Sequence, residues 1–295
     1  MNVRLGINPL TWTNDDLPSL GAETSLETCL REAREAGFTG VELGNKFPRE
    51  AKVLRPILRD HGLDLVSGWY SARLLERSVD EEWAAMRPHF ELLHALGCKV
   101  MVFAEVTRCV HGDQLAPLSQ RPQLPAGQWA RFGEHLTALA ERMQREGLRM
   151  AFHHHMGTVV QSAQDIDNIM SSTGEAVGLL LDTGHLTYAG GDPAQMAARY
   201  AKRIVHVHCK DVRKQVLERS CNRDSSFLNA VLDGVFTVPG DGMVDYRRVL
   251  EPLAASGYRG WLVVEAEQDP AIAIPHVYAN LGWRNLSAVA TELFQ

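Results

Sequence analysis

Cysteine is sparse in this sequence of 295 residues: Cys29, Cys98, Cys109, Cys209 and Cys221 are scattered, with no CxxC pair among them. An odd, dispersed set argues against a disulfide framework and fits free thiols in a reducing compartment. No apolar run approaches the roughly 20 residues needed to cross a bilayer. The opening MNVRLGINPLTW lacks the basic flank and apolar stretch of a secretory signal, so a soluble cytoplasmic protein is expected. A dominant charge is missing too. Thirty Lys and Arg stand against 36 Asp and Glu, for a net charge of -6 with both signs spread along the chain. That balance argues against a nucleic-acid partner, which normally leaves a basic patch. Neither GxGxxG nor GxxxxGK(S/T) occurs, so the usual phosphate-binding loops of open doubly wound sheets are absent.

What is present is alternation. Apolar residues make up 45% of the chain, enough for a large core. Strand-length apolar runs lie at Val3–Asn8, Gly40–Leu43, Asp64–Trp69, Lys99–Ala104, Arg149–His154, Val177–Asp182, Arg203–His208 and Gly260–Glu265. Helical patterns separate them near Ser25–Ala36, Arg49–Asp60, Val79–Leu96, Ala126–Glu146, Ala163–Ser171, Ala194–Tyr200 and Tyr246–Ala255, with a last one near Pro275–Glu292. Thr24 or Ser25 suits the first N-cap, and Gly37 stands where that helix must end. Trp129, Phe132, Leu136, Leu139, Ala140 and Met143 form a stripe at helical spacing that reads as core packing. Eight strand–helix units predict one (β/α)8 barrel, a single domain over residues 1–295. Two long connections, Arg108–Pro125 and Lys210–Asp241, follow strands on the active-site side, and the second is expected to cover the substrate.

Polar residues gather at the carboxyl ends of the later runs. His153, His154 and His155 follow LRMAF, and Asp182 and His185 follow VGLLL. His206, His208, Lys210 and Asp211 belong to IVHVHCKD, and Glu265 and Glu267 end GWLVVEAE. In a parallel barrel these side chains converge at one mouth. A lone histidine there is usually a satisfied polar residue, but buried carboxylates need partners or an ion. Imidazoles with carboxylates suit a divalent metal of intermediate softness. Alternate residues of a strand share a face, so one of each pair can ligate while the other supports it. His208 and Glu265, where their apolar runs end, and Asp182 read as ligands, with His206 and Glu267 as pocket or supporting groups. Parity does not choose between His153 and His155. His185 is assigned to substrate or proton transfer, and Lys210 is expected to titrate low beside a metal and act as a base or steady an enolate, unless it only forms a salt bridge. Quieter candidates for a polyol pocket are Asn8, Trp12, Glu42, Lys46, Trp69 and Glu105, the last with Arg108 as an alternative partner.

GVELG, FHHHMGT, LLLDTGHL, VHVHCKDVR and WLVVEAEQDP together resemble the xylose-isomerase-like TIM barrels, and most closely the inosose dehydratases of myo-inositol catabolism. The resemblance runs from Leu5 to the last helix. It implies a divalent manganese or cobalt ion, glutathione as a further cofactor, and a cyclic polyol ketone, 2-keto-myo-inositol, as substrate. The product would be trihydroxycyclohexane-1,2-dione, formed by loss of water. The superfamily's glutamate, aspartate, histidine, glutamate metal set falls on His153 or His155, Asp182, His208 and Glu265, with the first position departing from glutamate. The family histidine after the aspartate motif matches His185.

In the implied reaction an ion polarises the ketone, an α-proton leaves, and a β-hydroxyl is expelled with the help of an acid. His185 and Lys210 carry the acid and base roles in either order, with Asp211 orienting one of them. The rival is a metal-dependent isomerase or epimerase of a keto-sugar, which returns the proton instead of losing water. An abasic-site endonuclease and a sugar-binding regulator fit the residues less well.

Overall fold

The computed structural model describes residues 2–295. Eight parallel strands close into a barrel: β1 (Arg4–Ile7), β2 (Gly40–Leu43), β3 (Asp64–Ala72), β4 (Val100–Glu105), β5 (Arg149–His153), β6 (Val177–Asp182), β7 (Ile204–Cys209) and β10 (Trp261–Val264). Their order around the barrel follows the chain, with β10 hydrogen-bonded to β1. All eight coincide with the apolar runs to within a few residues; β3 runs longest past its expected end. The strands bury both faces, which is why they read as continuous apolar runs rather than alternating ones. Among the described residues, no helix is long and apolar enough to cross a membrane.

The helices between strands also appear near their expected bounds. Ser25 accepts from the Thr28 amide to open the first, Leu26–Ala36, and Gly37 closes it at φ 110°. The Trp129–Arg145 helix turns its apolar stripe into the core.

Register decides what meets at the mouth. Asp182 pairs with His208 across β6 and β7, so two polar strand ends stand level. Val264 of β10 pairs with Cys209, which brings Glu265 just beyond that same level.

The 210–241 connection is more than a loop. It carries β8 (Asp211–Val212) paired antiparallel with β9 (Phe236–Thr237), and two helices, Lys214–Asn222 and Phe227–Leu232. Its apolar residues Val212, Phe227, Leu228, Val231, Val235 and Phe236 form a second buried cluster with Leu118, Met156 and Tyr188. The 106–125 connection is fastened to it: Pro117 bridges Ser226, Gln114 donates to Asn229 at 2.9 Å, and the Ser119 amide donates to Asp224 at 3.0 Å. The two long connections thus brace each other on the carboxyl side of the barrel.

Candidate functional site

Four side chains from neighbouring strand ends form the centre of the mouth. His153, Asp182, His208 and Glu265 are all buried, and one ligand-type atom of each lies within 4.8 Å of the others. His153 donates through Nδ1 to the His154 carbonyl at 2.5 Å, which leaves the lone pair on Nε2, 3.7 Å from Asp182 Oδ2. Nδ1 of His208 lies 3.5 Å from the same oxygen and 2.9 Å from Glu265 Oε2. The other oxygen of Asp182, Oδ1, accepts from the His185 amide at 2.7 Å and caps the helix Thr183–Tyr188.

Behind this group stands Glu42. Its carboxylate faces Nε2 of His208 at 3.1 Å and Nε2 of His206 at 2.8 Å. Asn8 donates to Glu42 Oε2 at 2.7 Å and to Glu265 Oε2 at 3.0 Å, tying the two carboxylates together. Burial works against charge on Glu42, yet His208 and His206 outweigh it and hold the carboxyl well below the usual carboxylate range. Burial also opposes charge on His208, but Glu265 and Glu42 raise its imidazole well above the ordinary value.

A second group adjoins the first. Nζ of Lys210 lies 2.7 Å from Glu265 Oε1, 2.6 Å from Glu267 Oε1 and 3.0 Å from His185 Nε2, all buried. Lys210 does not titrate low, contrary to what its sequence context predicts. Burial does push the ammonium down, but Glu265, Glu267 and Asp182 outweigh it and hold Lys210 above the ordinary lysine value. Glu265 falls to about 2, with His208 and Lys210 overcoming burial. Glu267 moves the other way: burial lifts it to about 7, against the pull of Lys210. His185 and His155 are both held well below the ordinary histidine value, first by burial and then by neighbouring imidazoles and Lys210.

These groups border a cavity of about 290 Å³, whose wall includes Asn8, Glu42, Trp69, His155, His208, Glu265 and Glu267. His185 and Lys210 are fully buried behind that wall rather than in it. His155 does not join the four-residue centre; it stands with His185 and Glu267, its ring centroid 3.8 Å from that of His185. Phe227 and Phe236 of the 210–241 connection pack against His185 at 5.6 and 5.2 Å between centroids. The connection therefore backs the histidines and does not line the cavity, contrary to the cover expected of it.

Four sequence candidates stand elsewhere. The Trp12 indole donates to Glu32 at 2.6 Å while its ring fills the core. Lys46 is exposed and donates to the Ala22 carbonyl at 2.6 Å. Glu105 accepts from the amides of Leu74 and Thr107 at 2.7 and 2.9 Å, closing the turns after β3 and β4, while Arg108 pairs with Glu76. Asp211 accepts from the amides of Val212, Gly240 and Val244 at 2.8, 3.1 and 2.9 Å, so it anchors the 210–241 connection and orients neither His185 nor Lys210.

The cavity also has walls that the strand-end pattern does not reveal. Asp15, Asp16, Ser71 and His111 line it. His111 sits in the 106–125 connection with its ring 4.9 Å from that of His155, and its Nδ1 is buried without a partner. The local signals were the polar run TNDD after the first strand and VHGD inside a long connection.

The residues of the centre fit a divalent ion. Asp182 Oδ2 is buried with no hydrogen-bond partner, although it faces the cluster, with His208 Nδ1 and His153 Nε2 at 3.5 and 3.7 Å. Such orphaned groups are costly unless an ion takes them. Two imidazoles and two carboxylates are a donor set for a borderline ion, and Glu42 behind His208 supplies the usual outer partner of a ligating histidine.

The family described as xylose isomerase-like TIM barrel matches residues 30–285. The rhizopine catabolism protein MocC of Rhizobium meliloti is 53% identical over 290 residues, covering 98% of this chain and 89% of that protein. An inosose dehydratase of Geobacillus thermodenitrificans is 44% identical over 279 residues, 94% of each chain. Among solved structures, the IolI protein with a bound zinc atom superposes with a TM-score of 0.66 at 17% identity, over 99% of this chain and 98% of that one. An L-ribulose 3-epimerase matches equally well, with a TM-score of 0.66 at 17% identity over 98% of this chain and 96% of that one. At that identity the structures speak for the fold, and the sequence relatives for the family. The chain belongs to the xylose-isomerase-like TIM-barrel family and, within it, to the group that includes the inosose dehydratases.

Proposed function

We propose that the protein is a metal-dependent hydro-lyase that dehydrates an inosose, 2-keto-myo-inositol, to trihydroxycyclohexane-1,2-dione. The observation that carries this is the convergence of His153, Asp182, His208 and Glu265 at one strand-end level, in a chain 44% identical to an inosose dehydratase. The relative at 53% identity is named for rhizopine catabolism rather than for a reaction, so the reaction is read from the dehydratases. A bound divalent ion, manganese or cobalt on the family resemblance, would supply the positive charge that polarises a ketone.

The remaining chemistry is assigned to the cavity wall. Asn8, Glu42 and Trp69 offer hydrogen bonds and a flat apolar face to a ring of hydroxyls. His155 donates Nδ1 to the Met156 carbonyl at 2.8 Å, so its neutral ring keeps a lone pair on Nε2 for the α-proton. Glu267, lifted to about 7 by burial, holds a proton near neutral pH that it can give to the departing hydroxyl. Lys210 is the fixed positive charge between Glu265 and Glu267, and His185 braces it from behind. One proton leaves carbon, one reaches the departing hydroxyl so that water is lost, and the enol left behind tautomerises to the dione.

Five free cysteines support a reducing, cytoplasmic setting. Glutathione rests on the family resemblance alone, and the only partner proposed is the small substrate. The test is metal-reconstituted protein with 2-keto-myo-inositol, with and without glutathione, followed for dione absorbance and for deuterium uptake at the α-carbon. Dione formation supports the proposal. Conversion to an epimer without dione overturns it in favour of an isomerase.

A further inference from the structure

Next to the four-residue centre, His155, His185 and Glu267 form another buried group whose ligand-type atoms lie within 4.8 Å of one another. It has the parts of a second divalent site. Nδ1 of His155 is committed to the Met156 carbonyl at 2.8 Å, the arrangement that presents Nε2 of a histidine to an ion. Glu265 lies between the two groups and divides its carboxylate: Oε2 is 2.9 Å from His208 Nδ1, and Oε1 is 2.7 Å from Lys210 Nζ. A carboxylate shared in this way is what holds paired ions in two-metal centres, where the ions sit about 3.5–4 Å apart.

The second position is already filled. Nζ of Lys210 lies 2.7 Å from Glu265, 2.6 Å from Glu267 and 3.0 Å from His185 Nε2, so the ammonium donates to two carboxylates and takes up the space between the three side chains. We infer that the Lys210 ammonium is a built-in substitute for a second metal ion, which keeps this centre mononuclear, and that shortening the side chain opens a second divalent-cation site on His155, His185, Glu267 and Glu265. A lysine provides one unit of charge where an ion would provide two. This inference rests on the single-ion reading above.

The test is metal stoichiometry, which does not depend on turnover. Protein stripped with chelator is dialysed against excess manganese or zinc, freed of unbound ion, and analysed for metal per chain. Wild type is expected to hold one equivalent and Lys210→Ala two, with anomalous scattering placing the new ion among His155, His185 and Glu267. Lys210→Ala combined with Glu267→Gln should fall back to one. A single equivalent in folded Lys210→Ala, or a second ion at that place in wild type, overturns the inference. No bound metal in wild type sinks the single-ion reading instead. Should Lys210→Ala fail to fold, Lys210→Gln, which keeps a polar chain but loses the charge, is held to the same criterion of two equivalents.

Discussion

Glu42 on β2 reaches across the barrel interior to Nε2 of His208 on β7 at 3.1 Å, so that the other nitrogen of the ring, Nδ1, faces Asp182 and Glu265. A carboxylate behind a ligating histidine fixes the ring and raises its basicity. The same carboxylate is tied to Asn8 and His206 and does not move independently. Glu42→Gln should therefore weaken metal binding by about 10–100-fold while leaving the circular dichroism spectrum native. Competition against a chromophoric chelator measures it; unchanged affinity would show that His208 needs no support.

The pH dependence of metal binding has a definite sign. His208 is held above its ordinary value by Glu265 and Glu42 despite burial, so it carries a proton that an ion must displace. His153 is pushed well below the ordinary value, first by burial and then by His208, and has no proton to lose near neutrality. Affinity should fall as pH falls below the His208 pKa, by about tenfold per unit for one released proton, and flatten above it. A slope of two, from calorimetry in buffers of different ionisation enthalpy, would contradict this assignment.

Asp182 faces His153 and His208 through Oδ2 and caps a helix through Oδ1. Asp182→Ala should lose bound metal and also the cap, whereas Asp182→Asn should lose most of the metal affinity but keep the cap. Metal-free Asp182→Asn should then be more stable than Asp182→Ala by about 1 kcal/mol, read from urea unfolding. Full metal retention by Asp182→Ala would remove it from the ligand set.

Gly157 holds the wall of the cavity in place. Its φ is +77°, its carbonyl accepts from the Val110 amide at 2.9 Å, and an added Cβ would lie 2.9 Å from the His111 amide nitrogen. Gly157→Ala should cost about 1–3 kcal/mol from backbone strain and shift His111 away from His155. Substrate KM should rise more than kcat falls. Equal losses in both would mean that His111 acts on the transition state rather than on binding.

Glu267→Gln keeps the shape of the wall but removes the proton. Turnover should drop by about 10²–10⁴-fold, with deuterium exchange at the α-carbon better preserved than dione formation. Proportional loss of both would return the acid role to another group.

The barrel was legible in the chain because each strand is buried on both faces and ends in a glycine- or polar-marked turn; the runs VGLLLD and IVHVHC could hardly fold otherwise. The same local logic exposed Asp182, His208 and Glu265, since a charged residue closing an apolar run needs a partner. Side-chain parity along β5 could not choose between His153 and His155, because both point the same way. Inter-strand register separates them: His153 pairs with Leu180 on β6, within reach of Asp182, whereas His155 lies beyond the strand, beside His185. Tertiary packing alone also set the charge of Lys210, since Glu265 and Glu267 surround it only once β7 and β10 lie side by side. It likewise withdrew Trp12, Lys46, Glu105 and Asp211 from the cavity and supplied Asp15, Asp16 and His111 in their place. A sequence states which groups must leave water together; which of them meet depends on register and on how long connections pack, and those are properties of the folded chain.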